Sequence, residues 1–305
     1  MIKKKVNKKA IIMVALLIGL FTISFASAGL FSDLWGNITG YASFGDTIVN
    51  LTIGNTAPTI TFVTTVSDVD PIEDSTRTFI INFTADDDDG ASDLDVAQMN
   101  VTSSGEAERI NSSCATQGSP FGNSQNYTCT INLYYFDANA VWTVNATIND
   151  SAGTVVSNST ISFTFNILLA MKMSPTQLDW PSLTITSTDI GSNTDPITIN
   201  NTGNDAITNI TVNATDLAGE TTATEYIYAE NFTVNTADAS DNTTMINNTE
   251  VQVDLANLTR GNYSLNDGVT GQEELYFYLE ALNSDLSSQS YSSAAGAQWT
   301  VTVVT

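Results

Sequence analysis

Apolar and polar residues alternate along several short stretches of this chain, which is the pattern of half-buried β-strands. The clearest stretches are Phe79, Ile81 and Phe83; Trp142, Val144, Ala146 and Ile148; and Leu275, Phe277 and Leu279. Clusters of Asn, Asp, Gly and Ser separate them, as turns separate strands. No convincing helix of ten or more residues follows Phe25, so the pattern predicts an all-β chain.

The spacing of these strands and turns is typical of antiparallel β-sandwiches. We place one sandwich at residues 57–167 and a second at residues 168–305. Residues 29–56 form a segment with strand character that precedes the first sandwich. Its apolar residues either pack on their own domain or add a strand to a neighbouring subunit, and the sequence does not choose between these.

The first 28 residues have the three parts of a secretory signal peptide. Residues 1–9 carry five lysines and no acid, Ala10–Phe25 is almost wholly apolar, and residues 26–28 are small. The apolar run is shorter than the ~20 residues that a membrane-spanning helix needs. We therefore expect a cleaved signal, an extracellular mature chain that starts at Gly29, and membrane contact only if the signal stays uncleaved as an anchor.

The expected mature chain is strongly acidic. It keeps 4 basic residues against 33 acids, a formal charge of −29. Such a surface repels nucleic acid and anionic lipid and attracts cations, but adaptation to a salty medium produces the same composition. The chain has no histidine, which excludes a Ser-His-Asp triad and imidazole zinc ligands.

The two cysteines, Cys114 and Cys129, predict one structural disulfide in an exported chain. The loop that it closes is short, so the bond adds ~3 kcal/mol through its effect on the unfolded state.

An acidic loop follows the strand that contains Phe83. It includes four consecutive aspartates, then Gly90, and two further aspartates. Calcium prefers several carboxylate and carbonyl oxygens at close range, so the loop is a candidate calcium site. The candidate ligands are Asp86, Asp88, Asp93 and Asp95, and adjoining loops offer Asp68, Asp70 or Asp150 as further ligands. The alternative is a solvated turn that binds no ion, and the spacing is not that of an EF-hand because Ala97 stands where a glutamate is required.

The acceptor motif for asparagine-linked glycans, Asn-x-Ser/Thr, occurs about seventeen times, where composition alone predicts roughly seven. The candidate glycosylation sites are Asn37, Asn82, Asn100, Asn145, Asn158, Asn209, Asn213, Asn231, Asn257 and Asn262. Several lie on the polar face of an alternating strand, where a glycan is tolerated. Asn-x-Thr also suits a solvent-facing strand without any glycan.

Aromatic residues suggest two roles. Trp142 and Trp299 occupy core positions of alternating strands, so we expect both to be buried. Four tyrosines could form a platform on which a sugar stacks, although cross-strand packing is the commoner role. They are Tyr134, Tyr135, Tyr276 and Tyr278.

Two motifs carry a resemblance to known surface proteins. The sequence Asn-Asn-Thr-Gly-Asn at 200–204 resembles the N-x-G-N turn of immunoglobulin-like modules in archaeal and bacterial surface-layer and adhesive proteins. The segment 83–95 resembles the D-x-D-G loop of cadherin-like and PKD-like surface domains, and Asn149–Gly153 fits their last hairpin turn. The resemblance implies two tandem immunoglobulin-like sandwiches in a surface architecture. It departs from cadherins because the further acids of their calcium sites have no counterpart that can be aligned.

We therefore expect an exported structural protein of the cell surface, of archaeal style, that self-associates into a layer or filament. The alternative is a secreted adhesin or carbohydrate-binding module that recognises glycans, and a hydrolase is a third class. No G-x-S-x-G, P-loop or S-x-x-K motif occurs, so we expect no enzyme. A structural subunit self-assembles, a binding module is a monomer with an exposed aromatic groove, and a hydrolase has a cleft with two facing acids.

Overall fold

A computed structural model describes residues 48–239, 243–263, 271–294 and 296–304. The predicted signal peptide and Asn37 lie outside the described residues. The chain divides into two compact units, Met1–Gly54 and Asn55–Thr305. Of the first unit only residues 48–54 are described, and they have no regular secondary structure.

The first eight strands of the second unit form two four-stranded sheets. We call this region the first part of the unit. Its strands are β1 (Thr59–Val63), β2 (Thr76–Asp86), β3 (Leu94–Thr102), β4 (Arg109–Asn111), β5 (Ala115–Phe121), β6 (Ser124–Tyr134), β7 (Val141–Asp150) and β8 (Val155–Thr164). The strand orders are β1-β2-β6-β5 and β4-β3-β7-β8. Every neighbouring pair is antiparallel.

Twelve strands, all but one of six residues or fewer, make up the rest of the second unit among the described residues. They are β9 (Met171–Ser174), β10 (Thr188–Gly191), β11 (Ile197–Asn201), β12 (Asn209–Ala214), β13 (Leu217–Gly219), β14 (Tyr226–Ile227), β15 (Phe232–Asn235), β16 (Thr243–Thr244), β17 (Thr249–Gln252), β18 (Gln272–Ala281), β19 (Tyr291–Ser292) and β20 (Thr300–Val304). The sheets have the orders β16-β15-β18-β11-β9, with β10 also on β18, then β17-β12-β20 and β14-β13-β19. A 3-10 turn, Ala229–Asn231, precedes β15. No helix in the described parts of the chain is long and apolar enough to cross a membrane.

The predicted all-β class with antiparallel sheets is therefore confirmed. Strand β7 shows why the pattern was informative: Trp142, Val144, Ala146 and Ile148 are all fully buried, while the residues between them are only half-buried. The indole N–H of Trp142 donates to the carbonyl of Ala138 at 3.0 Å, which satisfies its one polar atom.

The buried apolar residues form two separate groups. The first core cluster lies between Val63 and Phe165 in the sequence, and the second core cluster lies between Ile197 and Leu279. Trp299 packs edge-to-face on Phe232 at the border of the second cluster, with 5.1 Å between ring centroids. It is half-buried and precedes β20, so the prediction of full burial on a strand was wrong for this residue.

The predicted disulfide is present. Cys114 and Cys129 are bonded, with their Cα atoms 4.6 Å apart, and Cys129 lies on β6 in the first core cluster. The bond attaches the segment that leads into β5 to this internal strand, and both cysteines are buried.

The turn at residues 201–204 lies at the junction of the two parts. The Asn204 side chain accepts a hydrogen bond from the amide of Leu168 at 2.7 Å and donates to the carbonyl of Asn166 at 2.8 Å. The hydroxyl of Thr202 donates to the Glu73 carboxylate at 2.9 Å. Gly203 is required here because a Cβ at this position would be 2.1 Å from the carbonyl oxygen of Leu168.

Ion pairs reinforce this junction. Arg260 donates two hydrogen bonds to the carboxylate of Glu106, at 2.6 and 3.2 Å, and one to the carbonyl of Phe136 at 2.6 Å. Asp74 pairs with Lys172 and accepts a hydrogen bond from Tyr263 at 2.6 Å. Two of the four cations that follow the predicted signal peptide thus join residues near the first core cluster to residues near the second.

Candidate functional site

The acidic loop connects β2 to β3 at one end of the first part. Asp86 is the last residue of β2, and its carboxylate accepts a hydrogen bond from the Ser124 hydroxyl at 2.6 Å. Asp87, Asp89 and Asp93 each offer a carboxylate oxygen, and these oxygens lie within 4.8 Å of one another. We call these three residues the aspartate cluster.

The aspartate cluster differs from the predicted ligand set of Asp86, Asp88, Asp93 and Asp95. Only Asp93 belongs to both. Asp86 is bound to Ser124, as described above, while Asp88 and Asp95 are exposed. Asp87 is the only aspartate of the run that the turn after β2 buries, and Asp89, although exposed, lies beside it. Nothing in four identical consecutive residues reveals which carboxylates come together.

Asp87 is the most buried member of the cluster, with 1 % of its surface exposed. Its Oδ1 accepts a hydrogen bond from the amide of Asp89 at 2.8 Å. Its Oδ2 is buried without a hydrogen-bond partner among the described residues, and so is Oδ2 of Asp93. Burial raises the pKa of Asp87 above its ordinary value, the Asp89 amide opposes this, and nearby negative charges add to the rise.

Two other segments hold the loop in place. The amide of Thr56 donates to the carboxylate of Asp89 at 2.6 Å, and the amide of Ser151 donates to the Asp93 carbonyl at 2.8 Å. Asp150 accepts hydrogen bonds from Asn55 at 2.8 Å and from the Thr154 amide at 2.7 Å. The Asn55 bond is the main reason that the pKa of Asp150 is lowered, so this buried carboxylate stays ionised.

The candidate glycosylation sites that the structure describes all lie outside the cores, because none of these asparagines is buried. They are Asn82, Asn100, Asn145, Asn158, Asn209, Asn213, Asn231, Asn257 and Asn262. Asn100 and Asn145 face each other on the neighbouring strands β3 and β7. The motif at Asn231 differs from the others because its Thr233 is buried and donates to Glu280.

The four tyrosines do not form one platform. Tyr134 stacks on Phe136 and lies under the guanidinium of Arg109. Tyr135 is buried. Tyr276 and Tyr278 are half-buried on β18, and their hydroxyls donate to Glu274 and Asp238.

The described residues of the first unit include an exposed apolar stretch. The sequence alone did not decide whether this stretch packs on its own domain or on a neighbouring subunit. Ile48, Val49, Leu51 and Ile53 are 85 %, 82 %, 86 % and 85 % exposed. We call residues 48–53 the apolar segment. Contiguous exposed apolar residues of this kind are common at protein–protein interaction sites.

The edge strands of the two four-stranded sheets differ in how well they are protected against pairing with a further strand. β1 is irregular between Ile60 and Phe62, β5 contains Pro120 and a register shift, and β4 has only three residues. β8 has ten residues without a charge, proline or glycine, and one irregularity opposite Val144–Ala146. Of the four edges, β8 is therefore the one that best fits the addition of another strand.

The open side of β8 is covered only at its end. The amide of Val69 donates to the carbonyl of Thr164 at 2.9 Å, and the Asn166 amide donates to Val69 at 2.9 Å. No other backbone hydrogen bond in the described chain reaches residues 155–162 from that side.

Comparisons with known proteins give little further information. No protein-family model matches the chain, and a search of curated proteins finds no match. Among solved structures, the chain matches a secreted serine protease, VesC, from Vibrio cholerae with 13 % sequence identity and a TM-score of 0.20. The match covers 73 % of this chain and 49 % of the protease, so the chain spans about half the length of that protein.

Proposed function

We propose that this protein is an exported, glycosylated structural protein of the cell surface. It is a subunit of an envelope layer or extracellular filament that assembles through β-strand contacts. Residues 57–167 and 168–305 form two tandem immunoglobulin-like sandwiches that act as one building block. The disulfide supports export, because such bonds persist in oxidising compartments.

The observation that carries this proposal is the exposure of the apolar segment. Burying Leu51 and Ile53 in a neighbouring subunit would remove two large apolar side chains from water, worth roughly 1.5–3 kcal/mol each. A segment of six residues is also the usual length of one β-strand. Addition of this segment to a sheet edge of another copy would satisfy its backbone groups as well.

The acceptor in this proposal is the edge of β8 in the next copy. Residues 155–162 of this edge are long enough to pair with the six residues of the apolar segment, and Val155 among them is exposed. The apolar segment and β8 carry no charged residue. They can therefore approach each other without the charge repulsion expected between two strongly acidic copies. The bonds at the junction keep the two core clusters together, as a load-carrying subunit requires.

Sedimentation velocity of purified variants tests this assembly. The protein is produced in an oxidising but non-glycosylating host, so that changes near Asn50 do not alter glycan content. We expect wild type to associate as its concentration rises, and Leu51→Lys to weaken association at least about tenfold, because it places a charge in the apolar contact. Thr52→Lys is the matched control: it adds the same charge at the next position, on the opposite side of a strand, and retains association.

A second pair of variants tests the acceptor edge. Ser159→Lys places a charge in the middle of the open part of β8, at an exposed position, and should block association. Thr130→Lys adds the same charge at an exposed position of β6, an internal strand, and should not. Equal association of all four variants, or a wild type that stays monomeric at every concentration, would contradict the proposal.

A further inference from the structure

The aspartate cluster contains two buried oxygen atoms that the protein itself does not satisfy. Oδ2 of Asp87 and Oδ2 of Asp93 have no hydrogen-bond partner in the described chain, and Asp87 is almost fully buried. A buried carboxylate oxygen without a partner costs free energy, so native proteins normally pair it or bind a metal ion there.

No basic side chain in the described chain compensates the cluster. Arg109, Lys172 and Arg260 are paired with Asp137, Asp74 and Glu106. Arg77 lies at the opposite end of β2, nine residues from Asp86, which is roughly 30 Å along a strand. Asp150 instead adds a further negative charge near Asp87.

We infer that Asp87, Asp89 and Asp93 bind a calcium ion. Three carboxylates within 4.8 Å provide hard oxygen ligands at close range, and backbone carbonyls and water complete the larger shell that calcium accepts. Magnesium fits less well because it requires a more regular octahedral geometry and gives up water reluctantly. This site differs from the predicted set and does not depend on the proposed assembly.

Calcium at this site would stabilise more than the loop itself. Thr56 bonds to Asp89, and Ser151 bonds to Asp93, so the loop is attached to the start of the second unit and to the β7–β8 turn. Neutralising the cluster reduces the repulsion among its own carboxylates and with Asp150 at the end of β7. The bound ion therefore stabilises the end of the first part at which Asn55 and Thr56 lie.

Calorimetric titration of the full chain with calcium chloride, after removal of metal by a chelator, tests the site. We expect a Kd of ~10⁻⁴–10⁻³ M, the range of extracellular modules. Asp87→Asn should weaken binding at least about tenfold because it removes a charged ligand. Asp86→Asn and Asp88→Asn are matched controls, since neither residue belongs to the aspartate cluster, and they should bind as wild type does.

Thermal unfolding supplies a second measurement. In chelator, Asp87→Asn should melt at or above the wild-type temperature, because it removes a buried charge without an ion; this shows that the variant folds. Millimolar calcium should raise the melting temperature of wild type by a few degrees and leave Asp87→Asn unchanged. The inference is overturned if wild type binds no calcium, or if Asp86→Asn loses binding while Asp87→Asn keeps it.

Discussion

Asp195 shows at the residue scale how burial changes one titrating group. Its Oδ2 accepts a hydrogen bond from the amide of Phe277 at 2.8 Å, but its Oδ1 is buried without a partner among the described residues. Burial raises the pKa of Asp195 to about 6, and the charge of Asp238 adds to this rise. The folded protein therefore holds this proton at a pH at which the unfolded chain, with an ordinary pKa near 3.8, has lost it.

A pH dependence follows from this difference. The contribution of Asp195 to stability is fully present below about pH 4 and is lost as the pH rises through about 6. Asp195→Asn keeps an oxygen acceptor for Phe277 but cannot ionise, so its stability relative to wild type should rise between pH 4 and pH 7. Urea unfolding of both proteins across this range measures the difference. Parallel stability curves would show that Asp195 does not titrate in this way.

At the scale of elements, regular strands were predicted well, whereas the shortest strands and the side-chain directions within the acidic loop were not. β7 and β18 follow a strict alternation, because one face of each strand lies against a core. Strands such as β13 and β14 have two or three residues, too few for a period to be visible. The acidic loop was located correctly, but the set of aspartates whose carboxylates lie together was not, because a turn and not a period decides the direction of each side chain.

The turn at residues 201–204 supplies a prediction for an element. Gly203→Ala places a Cβ 2.1 Å from the Leu168 carbonyl oxygen and 3.0 Å from the amide nitrogen of Ala170, which forces the backbone apart. We expect a loss of at least about 1–3 kcal/mol in the free energy of unfolding. Gly296→Ala is the control, because a Cβ there meets nothing within 4 Å. Equal stability of both variants would contradict the importance of this close contact.

At the scale of the whole molecule, the junction depends on pairs that are distant in sequence. Arg260 and Glu106 are separated by 154 residues, and Tyr263 and Asp74 by 189. No local pattern identifies such partners, so these bonds could not be predicted from the sequence. The composition shows that cationic residues are scarce. Only the structure shows that two of them form ion pairs at the junction.

Arg260→Gln tests whether these bonds make the two parts unfold together. The change leaves the Glu106 carboxylate with fewer donors and removes the bidentate pair, which costs about 1–3 kcal/mol for a half-buried site. We expect differential scanning calorimetry to show broadening or a second transition, while exposed Arg77→Gln leaves the profile unchanged. One sharp transition at the wild-type temperature in both variants would mean that the pair does not couple the parts.

Negative-stain electron microscopy of the proposed exported form, residues 29–305, tests self-assembly most directly. The protein is imaged with its disulfide oxidised over a range of concentrations, with and without millimolar calcium. We predict filaments or sheets of wild type, and their loss in Leu51→Lys but not in Thr52→Lys. Dispersed monomers of wild type under every condition would contradict the proposed structural role and favour a secreted binding module instead.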